Sequence, residues 1–177
     1  MADLSQGYRV VVNKKHALAP DYAPGEDPTA QAAVMQVIST MQQQGYDVSN
    51  SYSGFRSYET QAWLYQSYVD RDGQAAADTY SARPGYSEHQ TGLAYDLLNS
   101  SGALLGTGAG DQAAVNWLAS HAHEYGFIVR YQAGKEGITG YMAEAWHLRY
   151  LGVADATAVY NSGQTLEEYL GVAGGGY

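Results

Sequence analysis

From Asp27 onward, the spacing of apolar residues separates helices from strands. Val34, Val37, Ile38 and Met41 recur at three- and four-residue intervals, which places them on one helical face. Asp27 and Pro28 supply the start, as N-cap and first helical residue, and Gly45 the stop. A second helix is expected after Ser57, with Ala62, Leu64, Tyr65, Tyr68 and Val69 as its buried side. A third runs over 111–125, capped by Asp111 and ended by Gly126. Strands are expected at 51–55, 93–98, 127–131 and 147–151, and Val10–Asn13 has the composition of a short one. Residues 73–84 read as an alanine-rich crossing, 100–110 as a glycine-rich turn region and 134–140 as a loop. Thr165 to Glu168 has the form of a capping box that opens a short C-terminal helix.

Helices come first, and strands are then interleaved with them. That order predicts an α+β domain with a small, mainly antiparallel sheet flanked by helices. The expected organisation is an extended arm over 1–26 that belongs to the domain, a domain body over 27–170, and a flexible glycine-rich tail over 171–177. At 177 residues the chain is of single-domain size and long enough for one core.

Composition narrows the chemistry. The formal net charge is −9, with no basic stripe to meet phosphates, so nucleic acid and anionic membrane surfaces are poor partners. The chain has no cysteine, so any metal must sit among histidines and carboxylates. No segment reads as a signal peptide or a membrane span.

Two strings stand out, SEHQTGLAYDL (Ser87 to Leu97) and EAWHLRY (Glu144 to Tyr150). They carry His89, Asp96, His147 and Glu144, the inventory of a catalytic zinc site: three protein ligands, a position for water, and a carboxylate to move protons. His89 and Asp96 are seven apart, so an unbroken strand would put them on opposite faces; a turn near Gly92 would bring them together. Glu144 and His147 are three apart, and one helical turn or a bend at a strand start would put them on one side. His16, His121 and His123 read as ordinary surface or core histidines.

These strings resemble the Ser-x-His-x-x-Gly-x-x-x-Asp and Glu-x-x-His elements of zinc D-Ala-D-Ala carboxypeptidases of the VanY type, which share a fold with hedgehog signalling domains. SGFRSYETQ (Ser53 to Gln61), the lead-in VNKKHALAPDY and GFIVRYQAGKEGITGY (Gly126 to Tyr141) resemble further segments of the group, in the same order. The chain departs at Ala145, where proline is common, and at Tyr95, where phenylalanine or isoleucine is common. The resemblance implies zinc ligands at His89, Asp96 and His147. It also implies a catalytic base and then acid at Glu144, and an oxyanion-stabilising cation at Arg56. Ser87, Gln61 and Tyr131 match positions that hold the substrate's terminal carboxylate or line its pocket, and Trp146 would wall that pocket.

The expected activity is zinc-dependent removal of the C-terminal D-alanine from peptidoglycan stem peptides or their precursors. An L,D-carboxypeptidase acting on the tetrapeptide stem is the near alternative, and a cell-wall endopeptidase ranks below it. A zinc-stabilised binding module without turnover is the alternative of another class, against which the retention of Glu144 and Arg56 counts. The substrate implies an extracytoplasmic bacterial location, with cytoplasmic precursor trimming as the other placement. A monomer is the default.

Overall fold

A computed structural model describes residues 1–177. After a 3-10 turn at Leu4–Arg9 the chain forms α1 (Pro28–Gln43), β1 (Tyr52–Ser53), α2 (Tyr58–Asp72) and α3 (Gln74–Tyr80). It continues through β2 (Ala94–Leu97), α4 (Gln112–His121), β3 (Phe127–Tyr131), α5 (Glu136–Thr139), β4 (Glu144–Tyr150), α6 (Val153–Ser162) and α7 (Leu166–Leu170). The four strands make one antiparallel sheet in the order β1-β2-β4-β3. This is the expected α+β architecture.

Strand alternation divides the sheet into two faces with different tasks. Tyr95 and Val129 both pair with Leu148, and Phe127 with Tyr150, so these side chains share a face. They meet Val34, Val37, Ile38 and Met41 of α1 and Val115 and Leu118 of α4 in the main core. Asp96 pairs with His147, and Ile128 with Arg149, on the other face. There a smaller apolar cluster of Val11, Ile128, Leu151, Ala156, Val159 and Leu166 leaves room for buried charge.

Several local features follow the sequence. The Asp27 side chain accepts from Ala30 N–H at 2.9 Å to cap α1, and Ser57 caps α2. The Thr165/Glu168 capping box forms at α7.

Others differ for physical reasons. Val10 to Asn13 is buried but pairs with no strand, because Tyr8 and Val10 carbonyls accept from the Arg149 guanidinium instead. The strand before Arg56 shrinks to two residues, since the Gly54 carbonyl is taken by the His89 ring. Only Gln61 of α2 is fully buried, and Leu64 and Tyr68 border a pocket rather than core. The alanines of 73–84 form α3, and Glu136–Thr139 makes a helical turn within the expected loop. Asp111 does not cap α4; its carboxylate accepts from Gly106 and Gly108 N–H and from Asn99, which knits the preceding loop. The glycine-rich tail brings the Tyr177 ring against the Arg83 guanidinium, 4.0 Å from ring centroid to guanidinium carbon.

Gly92 makes the turn on which the site depends. Its φ of 76° closes the 3-10 turn Glu88–Thr91, and a Cβ there would run into the Gly25 carbonyl. Gly92→Ala should therefore destabilise the protein by about 3 kcal/mol. Gly73→Ala, at φ 83° with nothing within 4 Å, should cost about 1 kcal/mol. Urea denaturation of both variants checks this, and equal losses would contradict the close approach at Gly92.

Candidate active site

The turn at Gly92 places His89 beside Asp96 on β2, with His89 Nε2 3.1 Å from Asp96 Oδ2. The cross-strand pairing of Asp96 with His147 brings the second imidazole, with Nδ1 3.1 Å from Asp96 Oδ1. Glu144 and His147 both lie on β4, where regular alternation would separate them. Between the Val129–Leu148 and Tyr131–Glu144 pairs, however, β4 advances further than β3. That irregularity leaves Glu144 Oε2 3.6 Å from His147 Nδ1.

The hydrogen bonds fix which ring nitrogens face the centre. A carbonyl only accepts, so His89 Nδ1, 2.8 Å from Gly54 O, carries the proton and Nε2 turns its lone pair to Asp96. His147 Nε2 lies 3.1 Å from Glu88 Oε2, which leaves Nδ1 facing Asp96 and Glu144. One donor atom from each of His89, Asp96 and His147 lies within 4.8 Å of the others, and all three residues are buried. Asp96 Oδ1 is buried without a well-directed hydrogen bond. Two imidazole nitrogens and a carboxylate, with lone pairs converging and one oxygen unsatisfied, fit a zinc ion.

The electrostatics agree with a place for positive charge. Burial lowers the His89 pKa and outweighs the pull of Asp96. Burial would lower that of His147 too, but the carboxylates of Asp96 and Glu88 outweigh it and push it up to about 10. Asp96 is held below the usual carboxylate range: burial opposes ionisation, yet the flanking histidines overcome it. Burial pushes Glu144 up to about 7, with Asp96 adding to the rise and His147 and Arg56 opposing it. That is the range for exchanging protons at neutral pH.

These groups open into a pocket of about 280 Å³. All of the site residues singled out in the sequence border it. Arg56 donates from Nη1 to Gln61 Oε1 at 2.7 Å and from Nη2 to Ser53 Oγ at 3.2 Å. Gln61 also donates to Ala82 O at 2.7 Å, so both ends of its amide are engaged and it holds Arg56 in place. Ser87 caps the 3-10 turn by accepting from His89 N–H at 3.3 Å. The Tyr131 ring lies 4.8 Å from that of His147, and Trp146 is half-buried at the wall. His16, His121 and His123 are not among its lining residues.

Sequence reasoning missed a fully buried carboxylate of the site, Glu88. Glu88 Oε1 accepts from Arg130 Nε and Arg149 Nη1, each at 2.8 Å, while Oε2 meets His147. The signal was present in FIVRY and WHLRY, where a lone arginine interrupts each apolar strand and must find a partner inside. The sequence reading also passed over Leu104, Tyr141 and Met142, which line the pocket.

Comparison with known proteins comes to the same place. The sequence model of the VanY family, described as D-alanyl-D-alanine carboxypeptidase, matches residues 25–153. An L,D-carboxypeptidase, DacB of Streptococcus pneumoniae, is similar at 56% identity with a TM-score of 0.90, over 95% of this chain and 89% of that one. A vancomycin-resistance D,D-pentapeptidase, VanY with a glutamate-to-alanine substitution and bound Zn(II), is 30% identical with a TM-score of 0.77, over 92% of this chain and 98% of that one. A D-alanyl-D-alanine carboxypeptidase of Enterococcus faecalis is 39% identical over 127 residues, 67% of this chain and 46% of that protein. The chain spans between 35% and 66% of the length of four curated relatives.

The buried carboxylates generate a pH prediction. Burial opposes the ionisation of Glu88 and Glu167, but the charge of Arg130, joined at Glu88 by Arg149, holds both below the usual range. A depressed carboxylate stabilises the fold above its unfolded value of about 4.3 and loses that contribution as pH falls through the folded value. Unfolding free energy of the metal-free protein should therefore drop steeply below about pH 4. In Glu167→Gln that acid limb should be shallower, and an unchanged limb in urea titrations across this range would contradict the assignment.

Proposed function

The chain belongs to the VanY family of D-alanyl-D-alanine carboxypeptidases, and from that premise we propose that it is a zinc carboxypeptidase of peptidoglycan stem peptides that preferentially cuts the L,D bond of the tetrapeptide. The observation that carries the L,D preference is the 56% identity to pneumococcal DacB across 95% of the chain. Identity to the VanY D,D-pentapeptidase is 30%. A D,D activity on the pentapeptide is the second reading, favoured by the E. faecalis relative at 39% identity. The motifs alone favour that second reading, and the DacB similarity supports the first.

Zinc held by His89, Asp96 and His147 would supply Lewis acidity, polarising the scissile carbonyl and making a nearby water acidic. Glu144 takes the proton from that water as its oxygen attacks the carbonyl carbon. Its elevated pKa then lets it return the proton to the D-alanine nitrogen as the C–N bond breaks. Arg56, fixed by Gln61 and Ser53, faces the developing oxyanion with a pre-oriented cation. Gln61 acts through Arg56. Ser87, Tyr131 and Trp146 form the wall against which the terminal residue rests.

Stem peptides lie outside the cytoplasmic membrane, which supports an extracytoplasmic site of action. No helix is long and apolar enough to cross a membrane.

Mass-spectrometric product analysis of zinc-loaded protein tests the assignment. A tetrapeptide ending in one D-alanine and a pentapeptide ending in two should be offered separately. Faster loss of alanine from the tetrapeptide is the expected result. The reverse order would move the assignment to D,D, and cleavage of neither would overturn the carboxypeptidase reading. Glu144→Ala should keep zinc and lower turnover by about 100- to 10,000-fold; a binding module would keep its function in that variant.

A further inference from the structure

We propose that α7 and the Asn13 segment form an outer clamp on the metal site, in which Glu167 is a positioning residue that holds His147 through Arg130 and Glu88. Both segments lie outside the 25–153 stretch that matches the family. The inference rests on the metal site of the proposed function and is independent of the substrate.

The contacts run without a gap. Asn13 Nδ2 donates to Glu167 Oε1 at 3.1 Å. Arg130 Nη1 and Nη2 donate to the two Glu167 oxygens, each at 2.7 Å, and its Nε donates to Glu88 Oε1 at 2.8 Å. Glu88 Oε2 then meets His147 Nε2 at 3.1 Å. The side chains of Glu88, Arg130 and Arg149 are 0% exposed and that of Glu167 is 1%. Bulk solvent does not reach these charges, so each group is held by the next.

The division of labour at Glu88 explains why Glu167 matters. Two arginines converge on Oε1, which leaves Oε2 free for the imidazole. Arg130 stays on Oε1 because Glu167 occupies both of its terminal nitrogens in a bidentate pair. With a neutral side chain at 167, the buried guanidinium has only Glu88 to neutralise it. It would then compete with His147 for Oε2. A histidine that loses its partner on the far ring nitrogen loses orientation and basicity at the nitrogen facing the metal. Arg149 is fixed where it is, since its Nε and Nη2 donate to the carbonyls of Tyr150, Tyr8 and Val10.

The test is zinc affinity, measured by competition with a chromophoric chelator, together with the nitrogen-15 spectrum of the zinc-loaded histidines. Glu88→Gln should weaken zinc binding by about 10- to 100-fold. Glu167→Gln should weaken it by about three- to tenfold, at the lower end of outer-partner effects, and hasten solvent exchange of the His147 Nε2 proton. Glu168→Gln removes a charge from the same helix, but its carboxylate pairs with half-exposed Lys135; its affinity should be unchanged. Asn13→Ala, which leaves the ion pairs intact, should weaken binding by more than about twofold in the same direction, and its result alone decides if Glu167→Gln does not fold. Zinc affinity within twofold of the unaltered protein in both Glu167→Gln and Asn13→Ala would overturn the clamp and leave α7 a packing element. Failure of the unaltered protein to bind zinc would overturn the metal site itself, whatever the product analysis gives.

Discussion

The His147 ring sits between two carboxylates, Asp96 on one side and Glu88 on the other, and the rest of the site is arranged around that constraint. A buried imidazole flanked by anions favours positive charge at the centre. Asp96 can lie there only because β2 and β4 pair in the register that sets it opposite His147. Glu88 can lie there only because two arginines neutralise it where bulk solvent does not reach. At Glu144 the opposing pull of His147 and Arg56 is weaker than the burial, which raises its pKa to about 7. One low-dielectric pocket thus holds a carboxylate kept below the usual range at Asp96 and one raised to about 7 at Glu144.

Buried ion networks contribute little net stability, because desolvation consumes much of the Coulombic gain. The core that holds the fold together lies on the opposite face of the sheet, where α1 and α4 pack on Tyr95, Phe127 and Leu148. The Glu88–Arg130–Glu167 network is better understood as fixing positions than as adding stability. It ties the second imidazole to parts of the chain far from it in sequence, including the C-terminal helix.

Much of this was legible in the sequence. The grouping of His89, Asp96 and His147 could be expected from the strings that resemble the VanY pattern, and α1 from the agreement of its cap and apolar spacing. The turn that unites His89 with Asp96 was readable at Gly92, which alone in that stretch can take positive φ without strain. What was hidden depended on distant partners. Glu88 stands between two recognisable residues and has the local character of a solvated charge, and only Arg130 and Arg149 reveal it as buried. The face of α2 was misjudged because its inward residue is Gln61, engaged with Arg56 and the Ala82 carbonyl rather than with apolar neighbours. Preference between D,D and L,D bonds was hidden for the same reason. The pocket wall draws on Leu64, Leu104, Tyr141 and Met142 as well as the expected Tyr131, and which of them meet one another shows only in the fold.

The central claim is that one metal ion is held by His89, Asp96 and His147, with Glu88 on the far side of His147. A crystal structure of zinc-soaked protein with anomalous data at the zinc edge tests it most directly. The account predicts a single peak about 2.0–2.1 Å from His89 Nε2 and His147 Nδ1, bonded to the Asp96 carboxylate, with His147 Nε2 still on Glu88. A peak bonded to His147 Nε2, or one placed away from Asp96, would contradict it.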